Sequence, residues 1–202
     1  MLDQDKMNCM TLIAGKNASA TGRVLVAHNE DDGGFVVVRH GWVPPQDWAA
    51  GSVMPAEEGC AEIPQVSHTL GYYWTEYRKD TCGLTTADGF VNECGVVIVS
   101  NSMGTSRESM ENADCVKDGG IGYNLRRALA ERAGSAREGA RILMELIDEW
   151  GYAPSGRAYT IADKDEAFMF QLVRGRHYMG ARVPDDALAV MPNHYNLHSL
   201  HD

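Results

Sequence analysis

Apolar and polar positions change rhythm along this chain, from strand-like to helical and back. Residues 11–15 (TLIAG) and 22–28 (GRVLVAH) are apolar or alternating, with a turn at residues 17–22 (NASATG) between them, the signature of two strands joined by a short connection. Residues 35–39 (FVVVR) read as another strand after the turn signal Asp31-Asp32-Gly33-Gly34. Residues 41–68 carry Pro44, Pro45, Pro55 and Pro64 among polar residues and predict a long irregular segment, a kind of element that is often functional in compact domains. An aromatic strand over 69–77 follows, then a hairpin over 88–102 turning at Asn92-Glu93-Cys94-Gly95. Its second arm, VVIVS, is apolar on both faces and reads as a central strand.

The period then becomes helical. Residues 121–133 place Ile121, Leu125 and Leu129 on one face, with Gly134 as the expected stop. Ser135 caps a second helix, Glu138 completes a capping box, and Ile142, Leu143, Leu146, Ile147 and Trp150 form its buried stripe up to Gly151. From 157 to 192 strands return as AYTIA, AFMFQL, HYMGARV and LAVMP. Strands, a helix pair and strands again in one domain predict an α+β architecture, with helices packed on a mostly antiparallel sheet.

Composition narrows the class. The chain has 202 residues, 44% hydrophobic and 23% charged, ordinary for one globular domain. A net charge of −10 argues against nucleic acid as a partner, since phosphates demand a basic surface. No stretch approaches the ~20 apolar residues of a membrane span, and the polar start MLDQDKMN has no signal-peptide core. A cytoplasmic protein with no membrane partner is the expectation. The five cysteines, Cys9, Cys60, Cys82, Cys94 and Cys115, show no C-x-x-C pair and make a poor disulfide framework. His194, His198 and His201 form H-x3-H-x2-H but lack the Glu of a zincin motif, and Gly119-Gly120-Ile121-Gly122 lacks a phosphate-loop lysine. No metal and no cofactor is expected.

Cys9 carries the chemistry. It sits before the first strand and behind a short polar leader. By itself it reads first as a small buried apolar residue at a strand start. If the Asn8–Cys9 bond is cut, however, Cys9 gains an α-amine with a pKa of about 7.7–8.0 beside a thiol of about 8.5, so base and nucleophile belong to one residue. The second strand ends in AHNEDD (Ala27 to Asp32), where a carboxylate could hold that amine. The strands VVIVS and LAVMP lead to Asn101 and Asn193, amides of the kind that stabilise an oxyanion. Taken singly, each is also an ordinary turn residue. The aromatic residues Trp42, Trp48, Tyr72, Tyr73 and Trp74 fit either a substrate cleft or the core.

The ordered set Cys9-Met-Thr-Leu-Ile-Ala-Gly-Lys-Asn-Ala-Ser, Ala27-His-Asn-Glu-Asp, Asp88-Gly-Phe-Val-Asn-Glu-Cys-Gly-Val, Ala158-Tyr-Thr-Ile-Ala-Asp, Ala181-Arg-Val-Pro-Asp-Asp and Val190-Met-Pro-Asn-His resembles the secernin/dipeptidase A family of cysteine peptidases, relatives of the choloylglycine hydrolases. The resemblance implies an αββα Ntn-hydrolase sandwich, incomplete at its C-terminus, with residues 1–8 as a leader and 9–202 as the domain. It implies Cys9 as nucleophile, Asp31 as the acid that holds the α-amine, Asn101 and Asn193 at the oxyanion, and His28 and Asn29 on the substrate side. The implied activity is that of a dipeptidase acting on a dipeptide or small amide. An N-acyl amide hydrolase of the same fold and a truncated, non-catalytic assembly module are the alternatives. Two departures stand out. Relatives carry Arg where this chain has His28, and they continue well past Asp202, which predicts an uncovered apolar sheet face and hence a homo-oligomer or a C-terminal partner chain.

Overall fold

The structure, a computed structural model, describes residues 9–31, 36–55, 57–79, 85–104, 111 and 115–198. Its strands are β1 (Met10–Ala14), β2 (Leu25–Asn29), β3 (Val36–Val43), β4 (Gln46–Asp47), β5 (His68–Thr69), β6 (Tyr72–Lys79), β7 (Thr85–Asn92), β8 (Val97–Ser102), β9 (Tyr152–Ala162), β10 (Ala167–Gly175), β11 (Tyr178–Arg182) and β12 (Leu188–Met191). Two helices, α1 (Asn124–Arg132) and α2 (Ala136–Trp150), are inserted between β8 and β9. Seven strands form one antiparallel sheet in the order β11-β10-β9-β8-β7-β6-β3, three form a second in the order β12-β1-β2, and β4 pairs with β5 alone.

The helices cover one face of the seven-stranded sheet. Leu125, Leu129, Leu143 and Ile147 are fully buried there against Phe90, Ile98, Tyr159 and Ile161. The three-stranded sheet packs on the opposite face through Ile13, Val26 and Ala189 against Ala162, Ala167 and Met169. Strand alternation puts Met10 and Leu12 of β1, Leu25 of β2, and Leu188 and Val190 of β12 on the far side of that small sheet, where they are 43–76% exposed. The layers described are thus helix, sheet and sheet, an α+β arrangement. The expected apolar face on the outside is present.

Local chemistry explains where elements begin and end. The first helix starts at Asn124 rather than at 121, because Ile121 is drawn into a bridge with Tyr152. No neighbouring side chain caps it. The Glu57 carboxylate does so from 66 residues away, accepting the main-chain N–H of Tyr123 at 3.0 Å and that of Asn124. That carboxylate also lies against Gly122, so the glycine stretch holds an anion of its own chain. Gly119, at φ +89°, could not carry a Cβ without striking the carbonyl of Gly59. The stop is Ala133 and not Gly134: Asn92 donates its amide to the carbonyls of Ala130 and Ala133, at 3.1 and 2.7 Å, ending the helix from outside. At α2, Ser135 caps as expected, its Oγ accepting from Glu138 N at 3.2 Å. The Glu138 carboxylate reaches Gly134 N instead of Ser135 N, so the box closes one residue early.

β9 starts at Tyr152, six residues before the expected AYTIA. Pro154 is accommodated because β8 pairs with β9 only from Arg157 onward, while the ladder to β10 shifts register between Val173 and Gly175. The missing N–H of proline therefore removes no bond from a central ladder. Among the described residues, no helix is long and apolar enough to cross a membrane.

Asp163, in the β9–β10 turn, accepts from the N–H groups of Ala136, Asp165 and Glu166 at 2.8, 2.8 and 3.0 Å. Partial burial pushes its carboxyl up, but these three donors outweigh burial and hold it below the ordinary aspartate range. A depressed pKa gives stability that is complete above the unfolded value of about 3.9 and is lost as pH falls through the folded one. Asp163→Ala should cost about 1–2 kcal/mol near neutrality, as the loss of a helix cap does. In urea unfolding the gap to the wild type should close on acidification below about pH 4.

Candidate active site

Alternation along β1 turns Cys9, Thr11 and Ile13 inward, toward the seven-stranded sheet, and Met10 and Leu12 outward. Cys9 precedes β1 and is 3% exposed. Its sulfur is bracketed by the main chain of Asp31: the thiol points to the Asp31 carbonyl at 3.8 Å, and the Asp31 N–H donates to the sulfur at 3.5 Å. Asp31 therefore lies beside Cys9, with the backbone making the described contact. The β1–β2 ladder explains this proximity, since Thr11 pairs with His28 and Met10 with Asn29.

Residues from three strands converge one step further along β1. Met191 of β12, Thr11 of β1 and His28 of β2 face one another across the small sheet. The Thr11 hydroxyl lies 2.9 Å from His28 Nδ1 and 2.7 Å from Asn101 Oδ1, the latter reaching over from β8. Asn101 Nδ2 donates to the Met191 carbonyl at 2.9 Å. His28 Nε2 faces Glu30 Oε2 at 3.5 Å, and both side chains are largely buried. Asn193, just past β12, returns a bond in the opposite direction, donating Nδ2 to the Ser102 carbonyl on β8 at 2.7 Å.

The fold thus brings Cys9, Asp31, His28, Asn101 and Asn193 to one end of the interface between the sheets. Asn29 is different: it pairs with Met10 and is exposed on the outer side of the small sheet. Asn101 and Asn193 each use one amide hydrogen to tie the two sheets together, and among the described residues the second hydrogen of each is not engaged. Thr11 and Glu30 were not singled out from sequence. Thr11 sits in an apolar run, where a hydroxyl reads as strand filler, and the acidic turn offers no hint of which carboxylate meets His28.

The aromatic residues divide. Tyr72 and Trp74 belong to the helix-side core. Trp42 and Tyr73 pair across β3 and β6 on the other face and are 54% and 42% exposed. Behind β8, Arg157 donates to the hydroxyls of Ser100 and Ser102, both at 2.9 Å. Burial pushes the nearby Tyr159 hydroxyl above the ordinary tyrosine range, and Tyr152 further still. Of the other cysteines, Cys60 has its thiol pushed up by burial and by the Glu57 carboxylate, which makes it a poor nucleophile. His194 and His198 follow β12 on a non-helical stretch, so they do not share a helical face. His201 and Cys82 lie outside the described residues.

The chain is 28% identical to Probable dipeptidase B of Lactococcus lactis over 95% of its own length and 40% of that protein's. It is 29% identical to Dipeptidase A of Lactobacillus helveticus over 94% and 41%. It spans about two fifths of the length of these relatives. Penicillin V acylase from Agrobacterium tumefaciens superposes with a TM-score of 0.52 at 11% identity, over 92% of this chain and 52% of that one. That likeness gives the fold, an α+β Ntn-hydrolase fold. The model of Peptidase family C69 matches residues 8–201, and the chain belongs to that family.

Proposed function

We propose that this chain is the nucleophile-bearing part of a cysteine hydrolase that cleaves dipeptides, with residues 1–8 as a leader removed to expose Cys9. The observation that carries the reading is the position of the Cys9 sulfur at the head of β1 against Asp31, at the end of the sheet interface where Asn101 and Asn193 each give an amide hydrogen to the opposite sheet. Membership of a peptidase family with dipeptidase relatives supports it.

The steps follow from those groups. The free α-amine of Cys9 takes the thiol proton, and the Asp31 carboxylate holds the resulting ammonium. The thiolate adds to the scissile carbonyl, and the second amide hydrogens of Asn101 and Asn193 meet the oxyanion. Collapse breaks the C–N bond. The ammonium returns its proton to the leaving amine, and a thioester remains on Cys9. The amine then deprotonates a water, which attacks the thioester and restores the thiol. His28 and Asn29 stand on the substrate side in this reading. An acylase would use the same steps, and the acylase likeness, being one of fold, does not favour it. The exposed apolar row on the small sheet supports association with a second copy or a partner chain.

Intact-mass spectrometry of the mature protein should show a chain beginning at Cys9. Cys9→Ala should abolish turnover and Cys9→Ser leave little; full activity of Cys9→Ala would end the assignment. Parallel assays on dipeptides and N-acyl amides should find turnover on dipeptides, and turnover of N-acyl amides alone would replace the substrate reading. Asn193→Ala should lower kcat by about 10²–10³, the cost of losing one oxyanion donor, and unchanged kcat would remove Asn193 from that role.

A further inference from the structure

Thr11 has no part in the steps above, yet it is completely buried at the crossing of the polar groups around Cys9. The proton directions there can be assigned in one way only. The Met191 main-chain oxygen carries no hydrogen, so the Asn101 atom 2.9 Å from it must be the amide nitrogen. That turns Asn101 Oδ1 toward Thr11 Oγ1, 2.7 Å away. An amide oxygen only accepts, so Thr11 donates its single hydrogen to it. Toward His28 Nδ1, at 2.9 Å, the hydroxyl then offers only a lone pair, and Nδ1 must bring the hydrogen. The ring's other nitrogen faces the Glu30 carboxylate at 3.5 Å. A neutral ring with its hydrogen on Nδ1 would set the Nε2 lone pair against that carboxylate, whereas an imidazolium would donate to it.

We propose that Thr11 is a positioning residue that fixes a hydrogen on His28 Nδ1 and the rotation of the Asn101 amide, and so aims the second Asn101 hydrogen at the reacting carbonyl. The relay runs Glu30–His28–Thr11–Asn101–Met191, from the end of β2 through β1 and β8 to β12. The charged and titratable groups set about it are Glu30 and Asp31 at the end of β2 and the Cys9 thiol before β1. In linking the relay to turnover, the inference rests on the hydrolase reading; the hydrogen assignment does not.

The test is nitrogen-15 NMR of the imidazole rings in the mature protein, with the His28 signals assigned by their loss in His28→Asn. The wild type and Thr11→Ser should both show hydrogen on Nδ1 across the neutral range. Thr11→Val keeps the shape and removes the hydroxyl. It should lose the Nδ1 preference and lower kcat roughly 10²-fold, the scale for a group misplaced by about 1 Å, with KM little changed and Thr11→Ser restoring kcat. A neutral wild-type ring carrying its hydrogen on Nε2 would overturn the relay, whatever the activity. A Thr11→Val protein with unchanged ring signals and kcat would overturn it too. If Cys9→Ala stays fully active, the hydrolase reading fails, and the ring signals still decide the relay. If Cys9→Ala is inert and the ring is hydrogenated on Nε2, the relay fails alone. Should Thr11→Val not fold, the wild-type ring signals alone decide.

Discussion

Two amide groups exchanged between strand ends hold the site together. Asn101, on β8 of the large sheet, donates to the Met191 carbonyl on β12 of the small one. Asn193, just past β12, donates to the Ser102 carbonyl on β8. A buried carbonyl left unpaired costs about 1–3 kcal/mol, so neither side chain can turn away without penalty. Sheets that face one another through apolar side chains can slide, because dispersion is not directional; hydrogen bonds cannot. Met191 pairs with Thr11 in the ladder, and Cys9 lies two residues further along. Fixing β12 against β8 therefore sets the height of Cys9. The chain beyond β12 reinforces this register: Tyr195 donates to the Gly104 carbonyl at 2.7 Å, and the Gln171 amide group bonds Asn196 and Leu197.

The elements whose pattern is periodic and local were readable. The stripe of α2 with its Ser135 cap, the turn at residues 92–95 and the central position of β8 all follow from spacing. The parts that were not readable depend on partners far off in sequence. The caps on α1 come from Glu57 and Asn92, and a carboxylate 66 residues away leaves no local signature. The long segment over 41–68 looked irregular because its order lies in tertiary contacts, such as the bridge of Val53 to Pro64 and the two-residue pairing of β4 with β5. At the site, the order of Cys9, Asp31, Asn101 and Asn193 suggested a constellation through family resemblance, and the fold brings them to one place. It also gives the asparagines a structural duty that the sequence did not reveal. Their spacing of about ninety residues says nothing of a clamp between sheets.

The composition of β1 connects these points. Its run Met10-Thr-Leu-Ile-Ala is apolar apart from Thr11, as in strands covered on both faces. One face is covered, by Ala162, Ala167 and Met169. On the other, Leu12 stands exposed between Val190 and Ala27, and Ala14, half-buried, lies between the exposed Leu188 and Leu25. Among the described residues nothing packs on that face, so it adds little to the stiffness of the small sheet. β1 is then held by its ladder bonds, by the inward contacts of Ile13, and by the polar row Met191–Thr11–His28 that Asn101 joins from the opposite sheet. A strand fixed from one side takes its position from that side's most directional contacts. Here those are hydrogen bonds to Thr11, two residues from Cys9, so the groups that locate Cys9 are the same ones that orient the Asn101 amide.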